Sequence, residues 1–213
     1  MKKVILSIIL MLALLLSLGS CNKKSEGEVS SSDTETQVPS AQIGTLYDAL
    51  NELTGKNYGK IQLHITTTTD DMELESEYVL TSSKVTYSVE RMNLLPEDGD
   101  LSGISPDYKT TLKGGATVEN GKITKLDGDA VELPAYDELK GNFDFQENYF
   151  KNVKAERGMF SAEVISAKSF LGTDKNLSGV KLTVEYNDSA FERIVITYKT
   201  ANATVNTEYV FEK

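Results

Sequence analysis

Apolar side chains change their spacing from a helical to a strand period near the start of the folded part of the chain. Between residues 43 and 53 they recur at helical spacing, which predicts an amphipathic helix. The positions are Ile43, Leu46, Tyr47, Leu50 and Leu53. Ser40 can cap the start of this helix and Gly55 its end. From Tyr58 onward the period becomes two, which is typical of strands with one buried face.

Apolar and polar side chains alternate in three stretches after the helix, at residues 61–65, 74–80 and 85–89. Short polar segments at 69–71 and 81–83 separate them, so they predict three strands of an antiparallel meander. After a loop from Leu94 to Pro106, the Asn120-Gly121 pair predicts a hairpin across 110–126. Asn-Gly is favoured in such turns because both residues accept positive φ angles.

The second half of the chain returns to strands after a helical interruption. Residues 133–141 are expected to be irregular or briefly helical, and a second helix is predicted from Phe145 to Ala155, capped by Asp144. Alternation resumes near Phe160 and continues to Phe211. The prediction is an α+β fold: a curved, half-barrel-like antiparallel sheet of about nine strands, with two helices packed on its apolar face.

The first 21 residues have the three parts of an export signal. Lys2 and Lys3 precede an apolar run from Val4 to Leu18, of about 15 residues, which is shorter than a stable membrane span. The run ends in Leu18-Gly19-Ser20-Cys21. This tetrapeptide resembles the lipobox of bacterial lipoproteins. The remaining alternatives are an ordinary secretory signal with an incidental cysteine and an uncleaved membrane helix.

The lipobox resemblance implies how the chain is processed and where it resides. Residues 1–20 would be a signal peptide recognised through Leu18, Gly19 and Ser20, and Cys21 would carry a diacylglyceryl group. Two acyl chains give a stable anchor, so we expect a lipid-anchored protein on the extracytoplasmic face of the cell membrane. Residues 21–40 are rich in serine and acid and predict a disordered tether. Residues 41–213 are expected to form a single globular domain.

Composition removes several classes of function. The chain has 32 acidic and 22 basic side chains and a net charge of −10, which argues against binding nucleic acid. Cys21 is the only cysteine, so no intrachain disulfide can form. Stability must therefore come from an ordinary core.

Candidate catalytic and metal-binding residues are few. His64 is the only histidine and lies at a polar position of the alternation, which favours a solvated or edge histidine over a general base. The segment Asp98 to Gly103 begins like a calcium loop, but Lys109 stands where a bidentate glutamate is needed. Glu73, Glu75 and Glu77 predict an exposed acidic face. We therefore predict no catalytic residue, metal or cofactor, and a protein that is not an enzyme.

The order of elements on a lipidated N-terminus is similar to that of the half-barrel lipoprotein-carrier and LppX-like families. That resemblance implies a hydrophobic ligand, such as an acyl chain, held between the sheet and the helices. The side chains expected to line it are Leu63, Ile65, Tyr78, Leu80, Tyr87, Val89, Leu182, Val184, Ile194 and Ile196. The alternative is an envelope protein with a filled core, which acts through interaction with a protein partner that the sequence does not identify.

Overall fold

A computed structural model describes residues 40–94, 109–129, 131–173 and 176–213, with side chains described from Thr45 onward. This part of the chain is mostly β: it forms an open antiparallel sheet of ten strands with one long helix and a few short helical segments. The helical segments are α1 (Ser40–Thr54), α2 (Tyr136–Lys140), a 3₁₀ turn (Glu147–Tyr149) and α3 (Ala167–Leu171). The strands are β1 (Lys60–Thr68), β2 (Met72–Leu80), β3 (Lys84–Asn93), β4 (Lys109–Glu119), β5 (Lys122–Gly128), β6 (Phe150–Glu156), β7 (Met159–Val164), β8 (Ser178–Asn187), β9 (Ala190–Lys199) and β10 (Thr204–Glu212).

The strand order is β5-β4-β3-β2-β1-β10-β9-β8-β7-β6. The chain thus forms one five-strand meander that runs from β1 at the centre of the sheet to β5 at one edge, and a second that runs from β6 at the other edge back to β10 at the centre. Pairing of the first and last strands, with Leu63 opposite Tyr209, joins the two meanders at the centre. Residues 129–149 connect the two outer edges of the sheet, and we call this segment the crossover.

Most of the predicted elements are confirmed. The first helix, the three-strand meander and the hairpin turning at Asn120-Gly121 are present, and Asn120 and Gly121 have φ angles of 53° and 72°. The short helix expected within 133–141 is α2. The predicted loop from Leu94 to Pro106 lies almost wholly outside the described residues.

The helix predicted from Phe145 to Ala155 is wrong. Only the 3₁₀ turn at Glu147–Tyr149 is helical there, and Phe150–Glu156 is an edge strand paired with β7. Asp144 caps no helix; its carboxylate accepts a hydrogen bond from Gln146. The apolar spacing of this segment misleads because Asn152, at φ 53°, lies where the pairing register of β6 shifts. Such a bulge breaks the strict alternation by which a strand is recognised.

Candidate functional site

The ten side chains predicted to line a ligand all lie on one face of the sheet, which we call the apolar face. Cross-strand partners of an antiparallel sheet point to the same side, so the register arranges this face in rows across the strands. One row contains Ile194, Tyr209, Leu63, Tyr78 and Tyr87, from β9 to β3. The next row, toward the turn between β2 and β3, contains Phe211, Ile61, Leu80, Val85 and Ala116. We call these two the inner rows.

The inner rows are covered by α1 and the crossover. The five-residue α2 packs on β1 and β2, and α1 packs on β9 and the 3₁₀ turn. Between these layers aromatic rings fill the space. Phe145 is 1% exposed and lies within 6.4 Å, between ring centroids, of five other phenylalanine rings. Eight of the ten predicted lining residues are buried; the exceptions, Ile65 and Val89, are half-buried.

Asn51 fastens the crossover to α1. Its Nδ2 donates to the carbonyl oxygen of Phe145 at 2.8 Å, and its Oδ1 accepts from the Phe145 amide, also at 2.8 Å. Tyr136 adds a third tie, since its hydroxyl donates to the Thr81 carbonyl at 2.7 Å. The crossover is therefore held on the inner rows by specific polar contacts as well as by its phenylalanines.

A pocket between the sheet and the helices has a volume of about 20 Å³ and is bordered by Tyr58, Phe143, Phe191 and Phe211. That is room for about one water molecule and too little for an acyl chain. Around this pocket the inner rows form a packed core.

Two further rows, which we call the outer rows, continue the apolar face toward the other end of the strands. One contains Ile196, Thr207, Ile65, Ser76, Val89 and Leu112, and the other contains Tyr198, Val205, Thr67, Leu74, Arg91 and Thr110. Their lining differs from that of the inner rows because hydroxyls and a guanidinium interrupt the aliphatic side chains. Leu74 and Val205 are buried, yet they lie outside the main hydrophobic cluster.

Arg91 is the cation of the outer rows. It faces the same side of the sheet as its partners Leu74 on β2 and Thr110 on β4. Its Nε is buried without a hydrogen-bond partner, and none of the ion pairs found among the described residues includes it. Sequence reasoning missed Arg91. The signal was its place in the alternation, two residues after Val89, where the pattern expects an apolar side chain.

Comparison with protein-family models and with curated proteins finds no match to this chain. Its function has to be argued from the arrangement of its own residues.

Tyrosines on the apolar face remain neutral hydroxyl donors. Burial raises the pKa of Tyr78, partly offset by its hydrogen bond with Ser76, and burial also raises the pKa of Tyr198. Burial, with a smaller effect of Tyr198, raises the pKa of Tyr209 to about 12. The Ser76 hydroxyl therefore has a partner within the protein, whereas the Nε of Arg91 has none among the described residues.

The opposite face of the sheet is polar and carries His64. Its register partners are Glu77 on β2 and Glu208 on β10, and an open groove of about 250 Å³ lies over these three residues. His64 lies on a central strand, and its Nε2 is buried without a hydrogen-bond partner. The predicted position on the polar face is therefore confirmed, whereas an edge position is wrong, and the side chain as a whole is half-buried. Glu208 is engaged elsewhere, since its Oε1 accepts from Arg193 Nε at 2.5 Å.

Within the described ranges no group of three or more histidine, cysteine or acidic residues could hold a metal ion. The calcium-like segment from Asp98 to Gly103 lies outside those ranges, as do Leu18, Gly19, Ser20 and Cys21. No helix among the described residues is long and apolar enough to cross a membrane.

Proposed function

We propose that this chain is a non-enzymatic bacterial lipoprotein, anchored through Cys21 to the extracytoplasmic face of the cell membrane, that binds a hydrophobic molecule on its outer rows. The ten-stranded sheet would act as a half-barrel that curves around this ligand. An open sheet with a helix and a crossover on one face agrees with what the resemblance to half-barrel lipoprotein carriers implies.

The anchor is supported by the lipobox at Leu18 to Cys21. Replacing Cys21 by serine removes the sulfur that would carry the acyl chains, and no disulfide is lost because the chain has no other cysteine. We expect Cys21→Ser to move the protein from the membrane fraction to the soluble fraction of the cells that express it. If the wild-type protein is found in the soluble fraction, or carries an unmodified thiol by mass spectrometry, the anchor is refuted.

The observation that carries the binding proposal is the division of the apolar face. Phenylalanines fill the space over the inner rows, whereas the outer rows combine half-buried Ile65 and Val89 with polar groups and join the core only through Ile196 and the side chains of Ile65 and Tyr198 that pack against it. A mainly apolar surface with a few polar groups is the usual lining of a small-molecule site. The ligand would thus lie beside the aromatic core and not within it.

Native mass spectrometry tests this binding. The protein would span residues 21–213 with Cys21→Ser, which needs no detergent and keeps every described element. We expect a hydrophobic molecule to be retained after purification, or the fluorescent fatty acid cis-parinaric acid to bind with saturation.

The matched variants are Ile65→Trp and Ile165→Trp. Both add the same bulk, but Ile65 lies in the outer rows whereas Ile165 is 55% exposed after β7. Only Ile65→Trp should abolish binding, and circular dichroism shows whether each variant folds. Absence of a retained molecule together with absence of cis-parinarate binding would refute the proposal and favour an envelope protein with a filled core that acts on a protein partner. Equal binding by both variants would exclude the outer rows as the site.

A further inference from the structure

We infer that the ligand of the outer rows is an amphiphile with one long apolar chain and an anionic oxygen head, and that Arg91 binds the head. This inference rests on the proposed function and adds the chemical class of the ligand. Its starting point is a cation whose Nε is buried on the apolar face without a hydrogen-bond partner.

The other two arginines of the chain show how unusual this setting is. Arg193 lies on the polar face, where Nε is 2.5 Å from Glu208 and an Nη is 3.4 Å from Glu185. Arg157 is exposed in the turn between β6 and β7. Arg91 has Leu74 and Thr110 beside it, and neither is charged. A buried guanidinium nitrogen without an acceptor is costly. An anion that binds it should therefore gain more binding free energy than one that binds a solvated arginine.

The two residues next to Arg91 along its own strand face the other way. Glu90 lies on the polar face, where it pairs with Lys109 at 2.6 Å, and alternation places Met92 on that face too. The fork of Nε and Nη donors fits two oxygens of one carboxylate or phosphate. An oxyacid head therefore completes the hydrogen bonding that the described residues leave open at Nε.

The rows beside Arg91 fit a long chain. Val89 on β3 and Ile196 on β9 belong to one row that crosses β2, β1 and β10. Four strand spacings make this row about 19 Å long, whereas one acyl chain fills about half of a bilayer core of roughly 30 Å. A head at Arg91 would therefore allow the tail to lie along this row over half-buried Val89 and Ile65, beside Ser76 and Thr207, which are buried.

Calorimetric titration with three probes tests the inference on the Cys21→Ser protein from residue 21. Oleate and oleyl phosphate carry anionic heads, and oleyl alcohol has the same tail without charge. We expect both anions, or one of them, to bind at least about tenfold more tightly than the alcohol, as a charge-assisted hydrogen bond allows. The chain has a net charge of −10, so general electrostatic attraction cannot produce this preference. The tighter anion identifies the head as carboxylate or phosphate.

Arg91→Gln should remove the preference for anions and leave the affinity for oleyl alcohol unchanged within about twofold. Arg91→Lys keeps the charge and should retain part of the preference, while Arg157→Gln makes the same charge change at the exposed turn and should retain all of it. Equal binding of anions and alcohol to the wild-type protein, or a preference that persists in Arg91→Gln, would overturn the inference and leave the hydrophobic site standing. If none of the three probes binds, the proposed function itself fails.

Discussion

Removal of the Asn51 side chain should destabilise the fold more than any ordinary surface change. Asn51→Ala deletes both hydrogen bonds to Phe145, at 2.8 Å each, and leaves a backbone N–H and C=O of the crossover without their partners. A neutral hydrogen bond contributes about 1 kcal/mol and an orphaned buried group costs about 1–3 kcal/mol. Because Asn51 is only half-buried, water can reach part of this site. We therefore expect a loss of about 2–3 kcal/mol in the free energy of unfolding.

Urea denaturation followed by far-ultraviolet circular dichroism measures this loss, since the chain has no tryptophan for fluorescence. Asn142→Ala is the matched control because Asn142 is exposed in the same crossover, and it should stay within about 0.5 kcal/mol of wild type. Asn51→Asp keeps the acceptor for the Phe145 amide and loses the donor to its carbonyl, so it should fall between wild type and Asn51→Ala. An Asn51→Ala protein as stable as Asn142→Ala would refute the role of this clamp.

Two further predictions concern the inner rows. Gly114→Ala should cost about 1–3 kcal/mol of unfolding free energy, because a Cβ there would overlap the Tyr87 hydroxyl and the Asp127 carbonyl. Gly115→Ala is the control and should cost less, since the nearest contact of its Cβ would be 3.3 Å away. Equal urea midpoints for the two variants would contradict this prediction. Burial raises the pKa of Tyr209 to about 12, from about 10 in the unfolded chain. The neutral hydroxyl therefore contributes roughly 2–3 kcal/mol to the free energy of unfolding below pH 10, and this contribution is lost as the pH rises to about 12. Tyr209→Phe should therefore lose less stability than wild type between pH 10 and pH 12 in urea titrations, and an equal loss in both proteins would contradict this.

The sequence reveals the strands where alternation and turn chemistry agree. Residues 61–89 alternate cleanly, and Asn120-Gly121 accepts the positive φ angles of a two-residue hairpin, so these elements were predicted correctly. The helix predicted for residues 145–155 is wrong because Phe145, Tyr149 and Val153 recur every four residues, a spacing that also suits one face of a helix. Their true state depends on pairing with β7 through a turn at Gly158, where φ is 77°. The glycine was visible in the sequence, but the bulge at Asn152 was not.

The candidate site could be predicted only in part, because rows across a sheet depend on which strands become neighbours. The ten residues predicted to line a ligand do share one face, since strand periodicity alone decides the face. Their division into inner and outer rows required the β1–β10 pairing, which joins residues about 150 positions apart, such as Gln62 and Glu212, and the path of the crossover. No local pattern encodes either of these. Arg91 can be recognised as a candidate binding residue only once that division is known.

The connectivity of the chain explains why the apolar face is divided in this way. After β5 the chain must return across the whole sheet to reach β6, a distance of nine strand spacings or about 43 Å. Residues 129–149 make this passage as a single segment, so they can cover only a band of the face. Aromatic residues fill that band, and Asn51 and Tyr136 fasten the segment to its neighbours.

If this division is real, stability and binding should respond to different residues. Asn51→Ala should lower the free energy of unfolding and, at temperatures where it remains folded, change the affinity for oleate by no more than about twofold. Arg91→Gln should weaken oleate binding and leave the free energy of unfolding nearly unchanged. The reason is that Arg91 has no hydrogen-bond partner at Nε to lose, whereas the proposed head group depends on it. Both quantities can be measured on both variants, with the double variant as the additivity test. If Asn51→Ala weakens oleate binding as much as Arg91→Gln does, the two halves of the face act as one unit, and a ligand site separate from the aromatic core is refuted.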